Sequence, residues 1–236
     1  MIFIYSGEVP ALDRRLSYEL GANHRLLTIP YAADEYWAAE DARDYFRSCG
    51  LNAHALSKVG CSNKEQLRNE LFTADAVYLS GGNTYQFLAF ARETGLFSLL
   101  QTFESLGGII VAESAGSIIL SPDISTAAIP TTCPDENTTD ITDFQAMGRI
   151  AFHVSPHFEP DSPQASSEME ELRTLANLSN TPILLLEDGA GIIMQDNDII
   201  FSTGSPAWVT AIEMSPQQLE LTGTTDRVDI THSLAG

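Results

Sequence analysis

The chain has 236 residues, 44% hydrophobic and 19% charged, a composition that builds a globular core and excludes a disordered or fibrous protein. Its 32 acidic residues against 12 basic ones give a formal charge of −20, which repels phosphate backbones and anionic lipid and argues against nucleic acid or a membrane as partner. Three cysteines, Cys49, Cys61 and Cys133, lack CxxC spacing and indicate neither a disulfide framework nor a zinc site.

The length suits one α/β domain spanning residues 1–236. Met1 to Ser6 hold a short apolar run without a basic leader, unlike a secretory signal, and no later stretch approaches the ~20 apolar residues of a membrane span. A cytoplasmic protein is therefore expected. In chain order, Ile2 to Tyr5, Leu26 to Ile29, Ala53 to Leu56, Ala76 to Leu79, Ile109 to Ala112, Phe152 to Val154 and Ile183 to Leu186 read as strands. Most are apolar throughout, as strands of a helix-covered parallel sheet are. Glu35 to Cys49, Lys64 to Phe72, Thr84 to Thr94 and Ser166 to Ala176 carry apolar residues at helical spacing. This alternation predicts a doubly wound, mostly parallel sheet flanked by helices. Beyond Gly189, Gly191 to Met194 and Ile199 to Ser202 read as a hairpin, with β-like stretches around Ala207 to Met214 and Leu219 to Leu221. These predict an antiparallel C-terminal margin to the main sheet.

Four places in this pattern carry chemistry. Gly81-Gly82-Asn83-Thr84 follows a strand and opens a helix, where glycines let a backbone amide face a ligand and Asn83 or Thr84 caps the helix. The apolar strand ending Val111-Ala112-Glu113 runs into Ser114-Ala115-Gly116 and an apolar helical start. That is the pattern of a nucleophile elbow: the turn is tight, so the positions two before and two after the serine, Ala112 and Gly116, must be small. It places the Ala115 amide near a developing oxyanion at the positive end of the following helix. Cys133, a conceivable second nucleophile, has no such turn around it.

Phe152 to Val154 ends near Pro156 and presents His157 just past the strand, where active sites of open α/β sheets lie. A serine hydroxyl needs such a base. His153 and His157 lack a further metal ligand at helical spacing, so no metal site is predicted and His153 is read as structural. Glu187-Asp188 ends the strand Ile183 to Leu186, and either acid suits the role of orienting an imidazole.

With these residues in view, the chain resembles the aspartyl dipeptidase, or peptidase E, family of serine peptidases, whose relatives include the cyanophycinases. Gly81 to Leu88 is similar to that family's GGNT-F/Y-Q-x-L segment, and Ser114-Ala115-Gly116 to its S-A-G turn. Phe144-Gln145-Ala146-Met147-Gly148 and Ser155-Pro156-His157-Phe158 resemble its F-x-A-L-G and N-P-H-F stretches. The resemblance implies a class I glutamine amidotransferase-like fold with Ser114 as nucleophile, His157 as base and Gly82 and Ala115 as oxyanion amides. It places the third acid on Asp188, with Glu187 one residue away, and a functionally important aspartate near Asp135. Asn83, Thr84 and Asp135 are the candidate substrate contacts. Two departures stand out: Glu113 sits beside the serine, and the helix after P-H-F reads Ala165-Ser166-Ser167-Glu168-Met169-Glu170-Glu171-Leu172, acidic where the family carries arginines that pair with a substrate aspartate.

The expected activity is hydrolysis of small peptides through an acyl-enzyme, without metal or organic cofactor, by a monomer or homodimer. Hydrolysis of another acyl compound, an ester or a cyanophycin-like β-aspartyl peptide, and a catalytically silent ligand-binding protein of the same fold are the alternatives.

Overall fold

The structure is a computed structural model describing residues 1–204 and 206–210, with the backbone of 217–218. It opens with strand β1 (Ile2–Tyr5), helix α1 (Pro10–Leu20), β2 (Leu26–Ile29), α2 (Trp37–Ser48), β3 (Ala53–Ala55), α3 (Lys64–Leu71) and β4 (Ala76–Leu79). Helices α4 (Thr84–Thr94) and α5 (Leu96–Ser105), strand β5 (Ile109–Glu113) and the one-turn α6 (Ala115–Ile118) follow. The last elements are β6 (His153–Ser155), α7 (Ala165–Ser179), β7 (Ile183–Leu185), β8 (Gly191–Gln195), β9 (Asp198–Thr203), β10 (Ala207–Val209) and β11 (Gln217–Gln218). Among the described residues no helix is long and apolar enough to cross a membrane.

A seven-stranded sheet runs in the order β3-β2-β4-β5-β1-β8-β9. Its first five strands pair in parallel, and the β8–β9 hairpin adds antiparallel to β1. Both faces are buried, which is why these strands are continuously apolar: Ile2 and Ile4 belong to one core cluster, Phe3 and Tyr5 to the other. The predicted α/β architecture with a mostly parallel sheet is present.

Its margin is built differently from the expectation. The strands read at Phe152 to Val154 and Ile183 to Leu186 leave the main sheet: β6 and β7 pair in parallel in a second, four-stranded sheet ordered β11-β10-β7-β6. Among the described residues only the β8–β9 hairpin forms the antiparallel margin of the main sheet, whereas β10 pairs antiparallel with β7. The physical reason is a separate apolar layer, in which Leu172 and Ala176 of α7 pack with Ile183, Leu185 and Val209. The stretches expected beyond residue 210, including Leu219 to Leu221, lie outside the described residues.

Two helices go unread in the sequence. In α1, Pro10 stands in the first turn and only Leu12, Leu16 and Asp13 are buried, so the apolar stripe is too thin to announce itself. In α5, Gly95 takes φ 73° and ends α4, and Leu96, Leu100 and Phe103 recur at helical spacing into the core. Burying each of these three side chains contributes roughly 1.5–3 kcal/mol.

Candidate active site

The parallel register brings three strand ends together. Leu79 lies opposite Ala112 and Tyr5 opposite Glu113, so Gly81-Gly82, Ser114 and Ser6 emerge side by side at the carboxyl edge of the sheet. This is where ligands approach an open α/β fold. Ser114 adopts φ 48° and ψ −116°, a sparsely populated conformation that costs of order 1–3 kcal/mol and turns the hydroxyl out of the strand. The small neighbours are required by contact: a Cβ on Gly116 would lie 2.4 Å from the Leu79 carbonyl oxygen, and one on Gly81 would lie 3.3 Å from Ser114 Cβ.

The second sheet supplies the rest. Ser155 pairs with Leu185, and the Leu186 amide donates to the Ser155 carbonyl at 3.0 Å, so the chain just past β6 and the chain just past β7 leave on the same side. His157 and Asp188 sit there, and the His157 ring lies between two partners. Its Nδ1 is 2.5 Å from Asp188 Oδ1 and its Nε2 is 2.9 Å from Ser114 Oγ. With the proton assigned to Nδ1, the ring donates to the carboxylate and its free Nε2 accepts from the hydroxyl. Asp188 is thus the acid on the imidazole, and Glu187 makes no hydrogen bond or ion pair with that ring among the described residues.

Ser6 is a member of this arrangement that the sequence reading passes over. Fully buried at the end of β1, its Oγ accepts from the His157 amide at 2.9 Å and lies 3.4 Å from both Asp188 Oδ1 and the Leu186 carbonyl. The neighbouring Gly7 leaves room for the acid, since a Cβ there would sit 3.3 Å from Asp188 Oδ1. The available signal was a serine-glycine pair ending an apolar strand, the same grammar as at Gly81 and Ser114.

Gly82 takes φ 136°, and its amide has no hydrogen-bond partner among the described residues. Ala115 is the first residue of α6, so its amide is among those a helix start leaves free. Here the structure corrects the expectation of a following helix dipole: α6 is a single turn, too short for a sizeable macrodipole, which leaves the amide itself as the donor. Asn83 and Thr84 act first on the fold. Asn83 caps α4 through the Gln86 amide and donates to the Glu136 carbonyl, while the Thr84 amide donates to Asp135 Oδ2 at 2.8 Å. Thr84 and Asp135 also line a cavity of about 470 Å³ shared with Gly82, Ser114 and His157, and Asn83 does not. Cys133 lines the same cavity without a histidine at its thiol.

Glu113 faces away from that cavity, where it accepts a hydrogen bond from the Tyr78 hydroxyl. Burial pushes its carboxyl above the usual range; nearby His157 opposes the shift and Asp188, Glu8 and Asp13 add to it. A carboxylate with a raised folded-state pKa binds more protons in the native than in the unfolded chain, so its contribution to stability falls as pH rises above its ordinary value of 4.5. Glu113→Gln keeps the Tyr78 partner and removes the titration. Urea midpoints measured at two pH values are expected to show the variant gaining on the parent protein toward neutral pH.

His153, fully buried, has both ring nitrogens without a hydrogen bond, its Nδ1 lying 3.8 Å from Asp123. It belongs to the core under β6 and does not reach Ser114.

Residues 4–202 match the family model described as peptidase family S51. The chain belongs to peptidase family S51. As an S51 member it is a serine peptidase and a hydrolase. It is 25% identical over 214 residues to a peptidase E of Streptomyces coelicolor, covering 89% of this chain and 83% of that one. An uncharacterized peptidase of Pasteurella multocida is 26% identical over 161 residues, which is 66% of this chain and 76% of the relative. Among solved structures, a candidate peptidase E from Listeria monocytogenes superposes with a TM-score of 0.67 at 20% identity, covering 86% of this chain and 96% of that one. A peptidase from an acI-B1 actinobacterium superposes with a TM-score of 0.66 at 14% identity, covering 96% and 95%. At these identities the two superpositions speak for a shared fold.

Proposed function

We propose that this S51 member hydrolyses small peptides through a Ser114-His157-Asp188 triad, with the Gly82 and Ala115 amides holding the oxyanion. The observation that carries the reading is the unbroken line of contacts from Asp188 Oδ1 through the imidazole to Ser114 Oγ, at 2.5 and 2.9 Å. His157 Nε2 takes the Ser114 proton as Oγ bonds to the peptide carbonyl carbon, and the carbonyl electron pair moves onto oxygen between the two amides. Collapse of that intermediate breaks the C–N bond, and the amine leaves with the proton from His157. Water then attacks the acyl-serine, gives a proton to His157, and releases the acid as Oγ recovers its proton. Asp188 stabilises the imidazolium formed at each step.

Cytoplasmic action fits the three unpaired thiols, Cys49, Cys61 and Cys133, because oxidising compartments favour paired ones. Among the described residues no lysine or arginine lines the cavity beside Ser114, which leaves a substrate aspartate without a counter-charge there.

The test combines labelling with two conservative variants. A fluorophosphonate is expected to label Ser114, as mapped by peptide mass spectrometry. Asp188→Asn is expected to lower kcat on a dipeptide on the order of 10², less than the ~10⁴ lost at a buried triad aspartate, because this one is largely exposed and screened. Glu187→Gln should stay within about twofold of the parent. A label on another residue, or equal losses in the two variants, refutes the assignment.

A further inference from the structure

Part of the lining of the cavity that holds Ser114 is acidic and short of partners among the described residues. Glu168, in the first turn of α7, is only 7% exposed and lines the cavity, yet its carboxylate has no hydrogen bond or ion pair among the described residues. Thr84 and Thr126, residues 1% and 2% exposed, belong to the same lining, and their buried hydroxyls have no hydrogen-bond partner among the described residues. Asp135 accepts the Thr84 amide at Oδ2 and has no partner at Oδ1 among the described residues, and Glu159 is an exposed member of the lining. The single cation on α7, Arg173, is exposed and faces Glu170 at 3.9 Å, so it does not neutralise the cavity.

Burying a carboxylate without a counter-charge is costly, and the cost is relieved when a cation arrives and hydrogen-bonds to it. Glu168 approaches that state at the cavity surface: burial and then the like charges of Glu171 and Glu159 push its carboxyl above the usual range. An acyl chain or an acidic side chain would leave the carboxylate as it is or worsen it. A guanidinium or ammonium would pair with it and have the free Asp135 oxygen as a further acceptor on the same lining.

We propose that this cavity receives the basic side chain, guanidinium or ammonium, of a peptide residue adjoining the bond that Ser114 attacks, with Glu168 as its counter-ion. The inference deepens the proposed peptidase reading, and the scissile bond it refers to rests on that reading. The chemistry recognised is a cation, which a dipeptide can bring either on its side chain or at its amino terminus.

Binding measured without turnover tests this independently of catalysis. Ser114→Ala protein is titrated calorimetrically with Arg-Ala and Ala-Arg, with their citrulline counterparts as neutral isosteres, each free and N-acetylated. In at least one position the arginine peptide is expected to bind about tenfold or more tightly than its citrulline twin, with or without the acetyl group. Adding Glu168→Gln should erase that ratio. Equal affinities for arginine and citrulline at both positions overturn the proposal, as does a ratio that survives Glu168→Gln. Equal binding of the free arginine and citrulline peptides, with both weakened by acetylation, assigns the cation to the peptide amino terminus and also overturns it. The arginine–citrulline comparison keeps Glu168 in place and therefore does not depend on how Glu168→Gln folds. If labelling and turnover fail while the ratio stands, the peptidase mechanism is wrong and the cation site is right.

Discussion

Ser114→Ala is expected to lower kcat/KM for peptide hydrolysis by about 10⁴ or more, and His157→Ala by a comparable factor. The Oγ atom is the only group that the elbow thrusts against Nε2, and φ 48° at Ser114 is a strain the chain carries to hold it there. Without that atom, the imidazole has no activated nucleophile to deprotonate, and water must attack unaided. Residues that act as one unit are not additive, so the double variant should be no slower than either single one. Rates of purified, folded variants on one dipeptide decide the matter. A Ser114→Ala protein within tenfold of the parent would remove the serine from the mechanism, and a multiplicative double variant would show the two side chains working apart.

The next largest loss is expected from the smallest change, Gly82→Ala, at about 10²–10³ in kcat with KM little altered, the scale of removing one oxyanion donor. Two constraints act together. Its φ of 136° is a conformation that L side chains rarely adopt, and the added Cβ would lie 2.1 Å from Cδ1 of Tyr31. Tyr31 cannot simply retreat, because it is 8% exposed and its ring meets Trp37 edge-on at 6.4 Å. The backbone must rotate, and rotation takes the amide away from the oxygen it would hold. Tyr31→Ala in the same chain relieves the clash but not the φ strain, so it should recover only part of the rate. Full activity in Gly82→Ala would exclude that amide as a donor.

Much of this site was legible because its signals are local. An elbow needs small residues within two positions of the nucleophile, and Gly116 shows why: its Cβ would strike the Leu79 carbonyl. The Gly81-Gly82 turn is written the same way, as a strand that stops at glycines before a capped helix. Asn83, Thr84 and Asp135 were harder to read, since capping and ligand contact draw on the same polar residues. In the fold, Asn83 and the Thr84 amide are spent on α4 and the loop around Glu136. The choice between Glu187 and Asp188 was not local at all. Adjacent residues leave a strand end in different directions, and only the packing of β7 beside β6 selects which carboxylate meets the imidazole.

By itself, the order of apolar runs, helical spacings and turn glycines determined a mostly parallel α/β sheet, a serine at one strand end and a histidine at another. These follow from steric and periodic constraints acting within a few residues. The tertiary structure alone decided that His157 and Asp188 come from a second sheet, that Ser6 anchors both, and that Glu168 faces the space beside Ser114. Those facts depend on which strand ends converge, and convergence is set by burying distant apolar surfaces together, such as Leu172 against Ile183 and Leu185.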